Sequence, residues 1–141
     1  MIVRALQAHD LEHGFLETLK SLSDTGDLTI SEWQDIFNET KEDVSRRISV
    51  VEENGEIIGT GTLLLEKKFI HAGGLVGHIE DVAVRAGHQG KGVGKKLVQS
   101  LLFEAECFGC YKVILDCGEH NASFYESLGF RRHEVCMRKD I

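Results

Sequence analysis

The densest chemistry in the sequence lies in Val82-Ala-Val-Arg-Ala-Gly-His-Gln-Gly-Lys-Gly-Val-Gly-Lys-Lys-Leu97. Gly90, Gly92 and Gly94 stand at alternate positions between a hydrophobic stretch and a basic amphipathic one. A strand that enters such a loop and leaves it as a helix forms an anion cradle. The glycines let backbone N–H groups approach a ligand, and the helix start adds unpaired donors and the positive end of its dipole. Lys91 and Lys95 add charge at the rim. Two common phosphate loops do not fit. A P-loop needs glycine where Gln89 stands and a magnesium-binding hydroxyl where Lys96 stands. A dinucleotide fingerprint needs a third glycine at Lys95. Just upstream, Glu80 and Asp81 interrupt a Val- and Ile-rich strand. Paired carboxylates in mid-strand are costly unless a polar site or a buried partner satisfies them. Strand alternation places Glu80 and Val82 on one face and Asp81 on the other.

The rest of the composition narrows the ligand. A net charge of −7 disfavours a nucleic-acid partner. Yet no acid occurs from Val82 to Phe103, where Arg85, Lys91, Lys95 and Lys96 cluster around His88. A local cationic patch on an acidic protein suits a small polyanion. Cys107-Phe-Gly-Cys110 has metal-ligand spacing, but no second pair completes a site, so no metal is expected. These thiols are expected to pack, reduced, at a helix end. No apolar run approaches the ~20 residues needed to cross a bilayer. With no recognisable targeting segment, a cytoplasmic protein with no membrane partner is the expectation. The 141 residues suit one α/β domain over the whole chain, 1–141.

The elements that must hold these residues follow from spacing. Ile2 to Ala5 reads as a strand, and Asp10 as the N-cap of a helix to about Leu22 with Leu11, Phe15, Leu19 and Leu22 on one face. Thr29 and Glu32 form a capping box ahead of Ile30, Trp33 and Phe37. Strands at Arg47 to Glu52 and Glu56 to Leu65 flank an Asn54-Gly55 hairpin turn. Gly73-Gly74 is a second turn before a strand from Leu75 to Val84. A helix from Val93 to Phe108 buries Val93, Leu97, Leu101 and Ala105, and Tyr111 to Cys117 is the next strand. Asn121 caps a short helix ending at Gly129, and Phe130 to Met137 closes the chain as a strand.

Gln89-Gly-Lys-Gly92-Val-Gly94 resembles the pyrophosphate loop of the GNAT superfamily of acyl-CoA N-acyltransferases. Asn121-Ala-Ser-Phe-Tyr125-Glu-Ser-Leu-Gly129-Phe130 is similar to that superfamily's C-terminal motif. Gly77-His-Ile-Glu-Asp-Val-Ala-Val84, Gly109-Cys-Tyr-Lys-Val-Ile-Leu-Asp-Cys117, Glu17-Thr-Leu-Lys-Ser-Leu22 and Glu66-Lys-Lys-Phe-Ile-His71 narrow the resemblance to the glucosamine-6-phosphate N-acetyltransferases. The resemblance implies a GNAT fold, a mixed, largely antiparallel sheet flanked by helices. It also implies acetyl-CoA as co-substrate, direct transfer in a ternary complex, and a homodimer with sites at the subunit boundary. By position, Val82, Ala83 and Val84 would hold acetyl-CoA through backbone bonds. Gln89, Gly90, Lys91, Gly92, Val93, Gly94 and Lys95 would take its pyrophosphate, and Asn121 and Tyr125 would flank its pantetheine arm. Ser23, Lys68 and His71 would meet the sugar phosphate, with Glu80, Asp81 and Asp116 nearer the amine and hydroxyls. Arg138 or Lys139 would join them through a shift of up to two residues, since direct alignment puts Asp140 at the family's phosphate-binding arginine.

These side-chain types suit acyl transfer. Asp116 can hold an ammonium and accept its proton, although a strand-end Asp can also be a simple cap. Backbone N–H groups near Val82 can stabilise an oxyanion. Tyr125 can protonate a leaving thiolate, although a lone tyrosine is ordinarily a half-buried packing residue. Two rivals remain at this point. A GNAT enzyme for another amine would share the acidic residues but not Lys68, His71 and Arg138. A non-catalytic CoA-binding module would have no use for Asp116 and Tyr125.

Overall fold

The computed structural model describes residues 1–141. Its framework is a five-stranded sheet in the order β1-β2-β3-β4-β5, made of β1 (Ile2–Ala5), β2 (Arg46–Glu53), β3 (Glu56–Lys67), β4 (Leu75–Val84) and β5 (Cys110–Ile114). Neighbours are antiparallel except β4 and β5, which run parallel. Parallel pairing needs a crossover, supplied by α4 (Val93–Cys107). The other helices are α1 (Phe15–Lys20), α2 (Ile30–Glu42), the single turn α3 (Ile70–Gly73) and α5 (Ala122–Glu126).

Both faces of the sheet are covered. Val50 and Val51 are adjacent and fully buried, yet they belong to different clusters, as strand alternation requires. On one face Val51, Leu63 and Ile79 meet Val93, Leu97, Val98, Leu101 and Ala105 of α4. The helix lies so close that a Cβ on Gly59 would come 2.8 Å from Val93 Cγ1. On the other face Leu11, Phe15, Val50 and Ile57 pack beneath Trp33 and Phe37 of α2. The Thr29–Glu32 capping box starts α2 as the sequence indicates, with Glu32 N–H bonding Thr29 Oγ1 at 3.2 Å and Thr29 N–H bonding Glu32 Oε2 at 2.8 Å. Asn54 and Gly55 both adopt positive φ, as the hairpin requires.

Several elements differ from the sequence expectation. Asp10 is not an N-cap. It is the third residue of a 3-10 turn, Ala8–Glu12, and its buried carboxylate accepts two bonds from Arg4 and one from the Gln7 N–H. The helix expected from there to Leu22 is broken at Gly14, which is left-handed at φ 97, and α1 ends at Lys20. The Gly73-Gly74 turn begins earlier, with His71 and Ala72 already left-handed. β5 stops at Ile114 rather than Cys117, and Cys107 is exposed rather than packed. Asn121 makes no side-chain cap bond. Phe130 to Met137 forms no strand within this chain.

Candidate active site

The gap between β4 and β5 organises the site. The two strands pair only from Leu75 to His78, opposite Cys110 to Ile114. β3 follows β4 further, to Val84. From Ile79 onward, one backbone edge of β4 therefore has no strand beside it. Within this free stretch Gly61 opposes both Asp81 and Val82, because Thr60 pairs with Ala83 while Thr62 pairs with Glu80. Asp81 takes a left-handed φ of 51. Such a bulge turns the strand and frees backbone donors. It also breaks the alternation read from the sequence. Val82 joins the cluster under α4, as Ile79 does, so Glu80 and Val82 lie on opposite faces. Glu80 and Asp81 are both exposed, which removes the cost of burying paired carboxylates.

The glycine loop leads from this free edge into α4. Gly90 and Gly92 have φ of 74 and 83, and a Cβ at either would meet nothing within 4 Å. Backbone conformation, not crowding, demands glycine there. Gly92 is the residue before the helix, so the N–H groups of Val93, Gly94 and Lys95 have no intrahelical acceptor. Lys91 and Lys95 are exposed at the rim. Gln89 turns inward to brace the loop: its side chain accepts from Gly87 N–H and donates to the Val84 carbonyl, both at 3.2 Å. Free N–H groups at a helix start with two lysines beside them suit an anionic ligand.

The acid residues gather across the gap. Asp116 first, then burial and the charge of Glu80, raise the Cys136 thiol above its ordinary range. Glu80 on β4 and Asp116 beyond β5 both act on this thiol across the gap. Tyr125 follows on α5, half-buried between Phe124 and Phe130 at centroid distances of 5.0 and 5.8 Å. Burial pushes its hydroxyl above the ordinary phenol value, with a smaller push from Cys117. Asn121 is exposed just before α5. Ser23 lies beyond α1 at this same end, because Ser21 Oγ accepts from Ala86 N–H at 3.0 Å.

Lys68 and His71 lie elsewhere. Lys68 precedes α3 and His71 lies within it, at the opposite end of β4, and Lys68 N–H bonds the Gly74 carbonyl at 2.8 Å. His71 stacks on Tyr111 at a centroid distance of 4.2 Å, and Lys112 Nζ lies 5.7 Å from that ring's centre. The sequence reading did not single out Tyr111 and Lys112. Their only signal was membership of the Gly109–Cys117 motif. Tyr111 stands near the start of β5 and Asp116 two residues beyond its end. His71, stacked on Tyr111, and Asp116 thus lie toward opposite ends of β5. Arg138 is on the exposed tail, paired with Asp140 at 2.8 Å. A cleft of about 1020 Å³ runs along the outer edge of β5, lined by His71, Tyr111, Asp116, Tyr125 and the tail as far as Cys136. No group of His, Cys, Asp or Glu is arranged to hold a metal, and no helix is long and apolar enough to cross a membrane.

A splayed β4–β5 pair, a glycine-rich loop opening a helix, and a tyrosine on the next helix define an acyltransferase framework. Residues 9–130 match the acetyltransferase (GNAT) family, and the chain belongs to that family. Members of the family use acetyl-CoA. Within it the chain is similar to glucosamine 6-phosphate N-acetyltransferases. One from Arabidopsis thaliana is 41% identical over 97% of this chain and 94% of its own length. Another from Candida albicans is 38% identical over 95% and 91%. A crystal structure of the Arabidopsis thaliana enzyme superposes with a TM-score of 0.95 at 40% identity, covering 99% of this chain and 97% of that one.

Proposed function

We propose that this protein transfers the acetyl group of acetyl-CoA to the 2-amino group of glucosamine 6-phosphate, releasing CoA and N-acetylglucosamine 6-phosphate. One observation carries the reading: similarity to enzymes named for this reaction, at 38–41% identity over 95–97% of the chain. Glu80, Asp81 and Asp116 suit a cationic amine and sugar hydroxyls. A phosphorylated acceptor, rather than a polyamine, accounts for Lys68 and His71 as well.

In this reading the free edge of β4 at Val82, Ala83 and Val84 aligns the pantetheine arm beside Asn121. Gln89 to Lys95 holds the pyrophosphate. Asp116, with Glu80 beside it, binds the acceptor ammonium and takes its proton. The amine nitrogen then bonds the thioester carbonyl carbon, whose developing oxyanion is met by N–H groups near Val82. As the carbon–sulfur bond breaks, the Tyr125 hydroxyl supplies the thiolate's proton, and the second proton shed by the nitrogen restores that hydroxyl by way of solvent. No residue is acylated.

The active unit is a homodimer with its sites at the subunit boundary. The separation of His71 from Asp116 supports this, as does a tail whose strand-forming sequence finds no strand in its own chain. Ser23, Glu80, Asp81 and Asp116 of one copy, with Lys68 and His71 of the other, make one acceptor site. Arg138 closes the phosphate end. The test is product identity. Protein mixed with acetyl-CoA and glucosamine 6-phosphate should release one CoA per acetyl group, with the acetyl on the C2 nitrogen by NMR. Absence of acceptor-dependent CoA release would refute the reading.

A further inference from the structure

We infer that Glu66 is a positioning residue that fixes the direction of the Lys68 ammonium and so sets how tightly a phosphorylated acceptor is held. The inference rests on the proposed role of Lys68 as a phosphate contact. Glu66 lies at the end of β3, outside the acetyl-transfer chemistry. Its Oε1 forms an ion pair with Lys68 Nζ at 2.9 Å and accepts from His78 Nε2 at 2.9 Å. In the sheet register Glu66 opposes Val76, so the carboxylate reaches diagonally to His78, two residues along β4. Lys68, and then His78, hold the Glu66 carboxyl below its ordinary value.

Lys68 is fixed at both ends. Its backbone N–H is tied to the Gly74 carbonyl at 2.8 Å, and its ammonium to Glu66. A lysine is a strongly hydrated point charge on a flexible stem, and ordering that stem opposes binding. Glu66 orders it before the acceptor arrives. Only one of three ammonium N–H groups is used, so two stay available to a phosphate oxygen. His78 supplies the carboxylate with a second donor, which draws its density away from the incoming phosphate.

The experiment is a double-mutant cycle of Glu66→Gln and Lys68→Met, with KM and kcat measured for glucosamine 6-phosphate and for glucosamine. Glu66→Gln should raise KM for the phosphorylated acceptor about fivefold, equivalent to losing an ordered charged contact. Its kcat, and its behaviour toward glucosamine, should match the parent. In the Lys68→Met background Glu66→Gln should add nothing, and Glu66→Asp should fall between parent and Gln. If Lys68→Met raises KM but Glu66→Gln leaves it unchanged or lowers it, the positioning role fails and the phosphate reading stands. Independent, additive effects also defeat the positioning role. If Lys68→Met leaves KM unchanged, both fail together.

Discussion

Tyr125 carries the sharpest residue-scale claim. Its ring is held edge-on by Phe124 and Phe130, so the ring would pack in the same way without its hydroxyl. Burial first, and Cys117 second, raise the hydroxyl above its ordinary value, so it keeps its proton throughout the neutral range. A phenol in that state can give a proton to a departing thiolate. Tyr125→Phe should therefore lower the single-turnover acetylation rate roughly 10²-fold, in the range of a general acid. KM for acetyl-CoA should change little, because the lost contact belongs to the transition state. Single-turnover conditions keep slow product release from masking the chemical step. A rate within about threefold of the parent would make Tyr125 a packing residue only.

At the scale of elements, Asp10 joins the first strand to the turn that follows it. Arg4 on β1 grips both its carboxylate oxygens, at 2.7 and 2.8 Å, and also reaches Glu52 on β2 at 2.7 Å. Burial alone would raise the Asp10 carboxyl, but the Arg4 hydrogen bonds, the Gln7 N–H and the charges of Arg4 and His9 outweigh it and leave it below 3.8. A depressed folded-state value adds stability that is fully present above the unfolded value and is lost as pH falls through the folded one. Asp10→Asn should cost about 2–3 kcal/mol in urea unfolding at pH 7, as for hydrogen bonds to charged groups. The gap from the parent should hold down to about pH 4 and close below it. Equal stability at pH 7, or a gap unchanged at pH 2, would contradict this. The same residue marks a limit of sequence reading. Aspartate suits an N-cap and the third residue of a turn alike, and only the position of Arg4 decides between them. The Thr29–Glu32 box and the Asn54-Gly55 turn were legible because their partners are local. The bulge at Asp81 was not, since it depends on β3 register, and it placed Val82 on the unexpected face.

At the scale of the whole molecule, Phe130 to Met137 has the sequence of a strand but no strand to join, and β5 has an open outer edge. An unpaired edge and an unpaired strand are what a second copy can satisfy. Resemblance of motifs marked Ser23, Lys68, His71, Glu80 and Asp116 as candidates for one acceptor site at a subunit boundary. Linear order by itself does not say which copy would supply each residue. If the proposed pair is correct, Asp116→Asn and His71→Ala homodimers should each be nearly inactive. Mixing and re-associating them should restore about one quarter of parental activity, since half the dimers are mixed and each has one intact site of two. No recovery in verified mixed dimers would place both residues in a single-chain site. The central claim is that the acceptor is an amino sugar phosphate. It is tested most directly by kcat/KM for glucosamine 6-phosphate against glucosamine at saturating acetyl-CoA. A phosphate held by Lys68, His71 and Arg138 should favour the 6-phosphate by at least about 10²-fold, equivalent to about 3 kcal/mol. Equal specificity constants would contradict the claim.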